Sequence, residues 1–348
     1  MNIHKKVSKI YTSSGVNLDN SEKVKDQIKT IAQNTYDTNV MGGVGGFAAL
    51  YQLSGYDQPV LVSSTDPVGT KLSVAGMVND YSNIGIDLVN ACINDLIVVG
   101  ADPLFFLDYV ATSVMDQEIV LTIVQGISKM CEESNCALIG GETSEMPGVF
   151  QNRKFDVSGF VVGAVESSKM ITPHQNILIN DDLIGIPSNG LHTNGYSLVR
   201  HIFNLEEDTS PLFQQFEGIN NSLGQELLKP HISYYKTLKP VYELVNGIAH
   251  ITGGGLFENI PRILPENMMA IFDSNTWDVQ EVFNLIQNQG QVDTIEMYHV
   301  FNMGLGMVLS VSPSKTDQVL NAIPGSRIVG KVAEKTSVDK VVIENILN

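Results

Sequence analysis

Cysteine, positive charge and long apolar runs are all scarce in this chain, and each shortage removes a class of protein. Cys92, Cys131 and Cys136 are the only cysteines in 348 residues and sit in apolar segments. A disulfide framework is therefore not expected, and a reducing compartment is the natural setting. Cys131 and Cys136 stand too far from other ligand types to suggest zinc. Lys and Arg total 21 against 38 Asp and Glu, a formal charge of −17. A mean field of that sign repels phosphate and disfavours a duplex or an anionic membrane as partner. An anionic small molecule must then be captured by local devices. No window approaches eighteen uninterrupted apolar residues, and the Met1–Val7 start has no apolar core of a leader. A protein that is not exported and resides in the cytoplasm is expected. There is also neither a Walker pattern nor a dinucleotide fingerprint.

What is present reads as globular. With 43% hydrophobic and 17% charged residues, the chain can bury two cores without staples. The polar stretch 171–182, containing Pro173, is the best boundary, dividing 1–170 from 171–348. Residues 1–21 read as a loop or arm. From Glu22 to about Asn34, Val24, Ile28 and Ile31 recur at helical spacing, with Lys23, Lys25 and Lys29 on the solvated side.

Val60–Leu72 organises the first half. An apolar, β-branched run breaks at Asp66-Pro67 and is followed by Gly69, Thr70 and Lys71. A strand that ends by offering a carboxylate, a hydroxyl and an ammonium can hold a metal and polyphosphate oxygens together. An ordinary Asp-Pro turn with an exposed lysine has the same letters. Met41–Leu50 packs Gly42, Gly43, Gly45 and Gly46 into five residues. Such a turn is entropically costly unless the backbone bends sharply or closely approaches a group such as phosphate. Ile84–Val99 is too long and continuous for a strand and reads as a mostly buried helix. On its wheel Asp87, Asn90 and Asn94 share one side, with Asp95 beside them. Buried carboxylates need a partner, which a metal, a basic group or a helix N-terminus could supply. Pro103–Ala111 reads as a strand and Asp116–Glu133 as a helix. Ala137–Gly148 reads as a short strand stopping at Gly140-Gly141 and presenting Glu142, Thr143 and Glu145. Asp66, Asp95 and Glu142 thus each place a carboxylate among core-like residues.

In the second half, strands are expected over Val157–Val165, Asp182–Ser188, Met303–Val311, Arg327–Val332 and Val338–Ile343. Helices are expected over Trp277–Gly290 and Ser314–Ile323. His192 lies in a glycine-rich loop before a helix starting near Asn194, a setting suited to meeting an anion or moving a proton. His4, His174, His201, His231, His250 and His299 have no comparable setting. His250–Arg262 reads as a strand, the triple glycine Gly253–Gly255 and a helix start, again the geometry for a phosphate on backbone amides.

Taken together and in this order, these motifs resemble the phosphoribosylformylglycinamidine cyclo-ligase family, from about Tyr11 to the last strands. The likeness rests on Met41–Phe47, Thr65-Asp66 with Val68–Leu72, Ile84–Val89, Asn94-Asp95, Pro103–Tyr109, Gly140–Thr143 with Glu145–Gly148, His192 with Asn194–Arg200, and Thr252–Gly255 with Glu258–Arg262. The resemblance implies an α/β (α+β type) protein of two domains. The N-terminal domain would join a partner's strands in a dimer-spanning β-barrel, and the C-terminal α/β domain would complete a cleft for ATP. It implies conversion of formylglycinamidine ribonucleotide and ATP to aminoimidazole ribonucleotide, ADP and phosphate through an imidoyl phosphate. Phosphoryl transfer of this kind asks mainly for positioning and charge neutralisation. Related ATP-dependent transfer to another small acceptor is the alternative.

Carried over by position, Asp66 and Asp95 look like Mg2+ ligands, with Glu142 a third carboxylate. Lys29 and Lys71 look like counter-charges for the triphosphate. The glycines at 42, 43, 45 and 46, with Thr65, Gly69, Thr70, Gly141 and Thr143, would line the nucleotide site. His192 would assist proton or phosphoryl transfer, and Asn194 with Gly253, Gly254 and Gly255 would meet the substrate. The expected partner is a second copy of the chain in a homodimer, with no nucleic acid and no membrane. The chain departs from the family pattern at Ser64, Pro67, Tyr81 and Asp19–Glu22. Pro67 removes an N–H and fixes φ.

Overall fold

Alternation of half-buried and exposed residues along Pro59–Pro67 marks the edge of the first of two large sheets. The computed structural model describes residues 18–150 and 155–346, so most of the expected arm lies outside the described residues. Helix α1 (Leu18–Gln33) opens the description, and Val24 and Ile28 are buried as their spacing predicts. Then follow β1 (Val40–Gly42), β2 (Leu50–Tyr51), β3 (Pro59–Pro67), α2 (Lys71–Val78), α3 (Ile84–Leu96), β4 (Asp102–Thr112), α4 (Gln117–Glu133), β5 (Ala137–Glu145) and β6 (Phe155–Glu166). Strands β1 and β2 pair as a small hairpin around the glycine-rich turn.

The first sheet has the order β3-β6-β4-β5. Only β4 and β5 run parallel, with α4 as their crossover. Asp116 caps α4 by accepting the N–H groups of Glu118 and Ile119. Helix α3 packs against β3, β6 and α4. It meets α4 glycine to glycine, since a Cβ on Gly85 would lie 2.0 Å from the Ile123 carbonyl oxygen. Leu88, Val89, Ile93 and Leu96 are fully buried there, each contributing roughly 1.5–3 kcal/mol relative to exposure.

The opposite face of this sheet is open. Leu61, Tyr109 and Phe160 are exposed on it. The sheet does not close into a barrel within one chain, so the barrel expected from the resemblance is not a property of the protomer.

Strand β5 does not stop at its glycines but runs through them to Glu145, which corrects the expectation for Ala137–Gly148. The reason is a close approach: a Cβ on Gly141 would lie 2.0 Å from Asp108 Oδ1. Burial, then the charge of Glu142, pushes the Asp108 carboxyl up to about 7.

The second sheet has the order β12-β9-β11-β7-β10-β8. It comprises β7 (Asp182–Pro187), β8 (Gly247–His250), β9 (Met268–Asp273), β10 (Leu305–Val311), β11 (Arg327–Glu334) and β12 (Val341–Glu344). All its pairs are antiparallel except β12 with β9. Strand β9 was not evident in the sequence. Among the described residues, no helix is long and apolar enough to cross a membrane.

Candidate active site at the junction of the two sheets

Helix α3 is where the two halves meet, and its polar side does the joining. Asp87 accepts the N–H of His231 at 2.7 Å. Asn90 donates to the His231 carbonyl at 2.6 Å. Asn94 donates to the Ile232 carbonyl at 2.9 Å and accepts the Tyr234 N–H at 3.0 Å. The Asp87, Asn90 and Asn94 side that the wheel picks out thus grips the backbone of 231–234. Most of the buried polar groups on this side find partners, Asn90 Oδ1 excepted, and the register of 231–234 against the helix is fixed by the same bonds.

Asp87 has a second partner. Lys71 Nζ lies 2.8 Å from its Oδ2, both side chains being fully shielded, and also donates to the Lys229 carbonyl at 2.7 Å. Burial pulls the ammonium down and the carboxyl up, while the pairing opposes both shifts. The Lys71 charge is thus committed inside the fold, which corrects its reading as a counter-charge facing a triphosphate. Of the partners open to Asp87, the basic group is the one present.

Asp66, near the end of β3, lies within the electrostatic reach of Asp95, near the end of α3. Burial, then the charge of Asp95, raises the Asp66 carboxyl to about 6. Two carboxylates sharing a half-buried space are a hard-oxygen donor set of the kind Mg2+ takes. Asp95 Oδ1 also lies 2.6 Å from His250 Nδ1.

His250 belongs to a cluster. Its Nε2 lies 3.3 Å from His231 Nε2, and the His192 ring stacks on His231 with centroids 4.0 Å apart. His192 reaches this place through a left-handed backbone, φ 58°. Burial, with the neighbouring charge of His250, holds its imidazole well below the ordinary histidine range. His231 is lowered in the same way, by burial and then by His192 and His250. Beside the cluster, Asn194 Oδ1 would lie 3.1 Å from a Cβ on Gly253, so the triple glycine and the His192 loop face one another. Asn259 ties the glycines down through bonds to the Gly253 and Gly255 carbonyls. Gly69 and Thr70 are also here, the Thr70 hydroxyl lying 3.2 Å from that of Ser197.

The remaining expected residues lie elsewhere. Asp66, Gly159, Asp108 and Gly141 form one row across the first sheet. Glu142 is one residue off that row, so its side chain points to the opposite face. It stands roughly 14 Å from the Asp66 edge at the usual strand spacing. It is not a ligand beside Asp66 and Asp95 of the same chain, which corrects the three-carboxylate set. Thr65 likewise points away from Asp66, its hydroxyl donating to the Gly159 carbonyl at 2.8 Å. Lys29 approaches the glycine-rich turn, its Nζ 4.0 Å from a Cβ built on Gly45. That turn packs at the β5 edge, with Ala49 against Gly140. Lys29, Gly42–Gly46 and Gly141–Thr143 are thus an outer-edge group, separate from the junction group. His231 and His250 are functional candidates that the sequence reading passed over. His250 had a legible signal, ending a strand just before three glycines; His231 lies in irregular chain and had none.

Comparison with known proteins identifies the family and the overall fold. The family profile described as AIR synthase related protein, N-terminal domain, matches residues 45–165. The corresponding C-terminal domain profile matches 179–343. The chain is 44% identical to a phosphoribosylformylglycinamidine cyclo-ligase of Thermoanaerobacter pseudethanolicus over 329 residues, covering 93% of this chain and 97% of the relative. It is 43% identical to the protein of the same name from Geobacillus kaustophilus over 340 residues, covering 95% and 98%. Among solved structures, hydrogenase maturation protein HypE in complex with ATP superposes with a TM-score of 0.64 at 14% identity, covering 90% of this chain and 88% of that one.

Proposed function

The chain belongs to the AIR synthase related protein family, and from that premise we infer that it is an ATP-dependent cyclo-ligase of purine biosynthesis. It converts formylglycinamidine ribonucleotide and ATP to 5-aminoimidazole ribonucleotide, ADP and phosphate. The amide oxygen of the substrate takes the γ-phosphoryl group, giving an imidoyl phosphate and ADP. The neighbouring amine nitrogen then attacks the activated carbon, phosphate leaves, and one proton is lost as the ring closes. The observation that carries the reading is 44% identity over 93% of the chain to a relative named for this reaction. Transfer to a different small acceptor is not favoured, because the relatives are named for ring closure.

The junction group takes the reacting atoms. Asp66 and Asp95 hold Mg2+, which when bound supplies positive charge against the phosphate oxygens. His192, kept neutral by burial, has a lone pair to accept the proton released on ring closure. Asn194 and Gly253–Gly255 orient the substrate. The outer-edge group, with Lys29 beside the glycine-rich turn and Gly141–Thr143, serves the nucleotide. The exposed apolar face bearing Leu61, Tyr109 and Phe160 packs against a second copy, making a homodimer with a shared barrel. The domain boundary falls within 171–182, and the protein works in the cytoplasm.

The test is direct. Purified protein is incubated with Mg2+, ATP and formylglycinamidine ribonucleotide, and ADP and aminoimidazole ribonucleotide are quantified. Equimolar release of both is expected. ADP release without the cyclised product would point to another acceptor, and no ADP release would remove the enzymatic reading.

A further inference from the structure

His192, His231 and His250 form a second donor set, made of nitrogen rather than oxygen. Ring nitrogens from all three lie within 4.8 Å of one another, and all three residues are buried. The hydrogen bonds around them fix where the lone pairs are. Asn94 spends its oxygen on the Tyr234 N–H, so it turns its NH2 toward His231 Nε2 at 3.1 Å. His231 Nε2 is therefore an acceptor, and its one lone pair goes to an ion only in exchange for the Asn94 hydrogen bond. Asp95, a carboxylate, takes the Nδ1–H of His250 at 2.6 Å, which leaves Nε2 as the nitrogen that faces His231. The two Nε2 atoms face each other at 3.3 Å, a contact that a shared proton or a metal ion can bridge. That separation matches two corners of a tetrahedron around an ion with metal–nitrogen bonds of about 2.0–2.1 Å. His192 adds the third donor. Both its ring nitrogens are buried and have no hydrogen-bond partner among the described residues.

We propose that His192, His231 and His250 form a binding site for a divalent transition metal of the zinc class, with Asp95 orienting the His250 ring from behind. Imidazole nitrogens take zinc, cobalt or nickel, whereas Mg2+ takes hard oxygens, so this site is chemically distinct from the Asp66–Asp95 pair. A carboxylate on the far nitrogen of a ligating histidine is the usual way such a ring is fixed. His192, stacked on His231, turns about its side-chain torsions to aim a nitrogen at the ion and so acquires the partner it lacks. An ion held there withdraws His192 from the proton transfer assigned above. Zinc then acts as a brake on turnover, a consequence that rests on the proposed function, whereas the site itself does not.

The test reads binding, not activity. Chelator-treated full-length protein is titrated with Co2+ and followed by its visible absorption. One equivalent per chain is expected, with an intense low-coordination band that Zn2+ abolishes and millimolar Mg2+ leaves unchanged. His192→Ala and His231→Ala should each weaken Co2+ binding at least about 100-fold, while Asp66→Asn keeps it. Circular dichroism establishes that each variant is folded, and either one alone suffices. No cobalt band in the unsubstituted protein, or a band unchanged in a folded variant, overturns the site and leaves a shared proton between His231 and His250.

Discussion

Lys71 Nζ and Asp87 Oδ2 are 2.8 Å apart with no solvent at either side chain, and the pair stands where helices α2 and α3 of the first half meet the 229–231 segment of the second. Removing one member leaves an uncompensated buried charge, which typically costs about 3–5 kcal/mol. Lys71→Met should therefore lower the stability measured by urea unfolding by that order. Lys71→Met combined with Asp87→Leu should cost less than either single change, because no lone charge remains. Equal or additive losses would show that the pair is not the determinant.

Lys71 also marks where reading from sequence stops. The strand at 59–67, the buried helix at 84–96 and its polar side were all legible, because periodicity reports which face is buried. What the buried polar groups bind was not, since Asp87 meets Lys71 and His231, the latter far away in the chain. Adjacency in sequence also misled at Glu142. Its neighbour Gly141 lies in the Asp66 row, but strand alternation turns the Glu142 side chain to the other face. The His231–His250 contact depends on an irregular stretch after Pro230 that carries no periodic signal, so the cluster appears only once the chain is folded.

Asp66 is the carboxylate most tightly bound to the proposed chemistry. Asp66→Asn keeps shape and removes one formal charge from the Mg2+ donor set. Turnover should fall at least about tenfold, equivalent to about 1.4 kcal/mol of barrier. Unchanged kcat at saturating Mg2+ would remove Asp66 from the site.

The same residue sets a pH dependence with a definite sign. Its carboxyl stands at about 6 against an ordinary 3.8, through burial and then Asp95. The folded protein therefore holds this proton more tightly than the unfolded chain, so the group's contribution to metal-free stability declines as pH rises from about 4 to about 6. Mg2+ binding has the opposite slope, because the cation competes with the proton. The Mg2+-induced rise in melting temperature should be small at pH 5 and reach its plateau above pH 7. Asp66→Asn should flatten that profile, and a profile identical to that of the unsubstituted protein would sink the assignment.

Coupling between carboxylates separates the two groups of residues most sharply. Asp66 and Asp95 each lie within the other's field, so the losses in Mg2+ affinity from Asp66→Asn and Asp95→Asn should be strongly non-additive, by about 0.5–3 kcal/mol. Glu142 stands across two intervening strands on the opposite face. Substitutions farther apart than about 7–10 Å with no shared partner usually add to within about 0.3–0.5 kcal/mol. Asp66→Asn and Glu142→Gln should therefore be additive in Mg2+ affinity, measured by calorimetric titration of the three variant proteins. A large coupling between Asp66 and Glu142 could arise only if a second subunit brought Glu142 to the junction. It would then move the outer-edge group from a separate nucleotide surface into the same site, built by two chains.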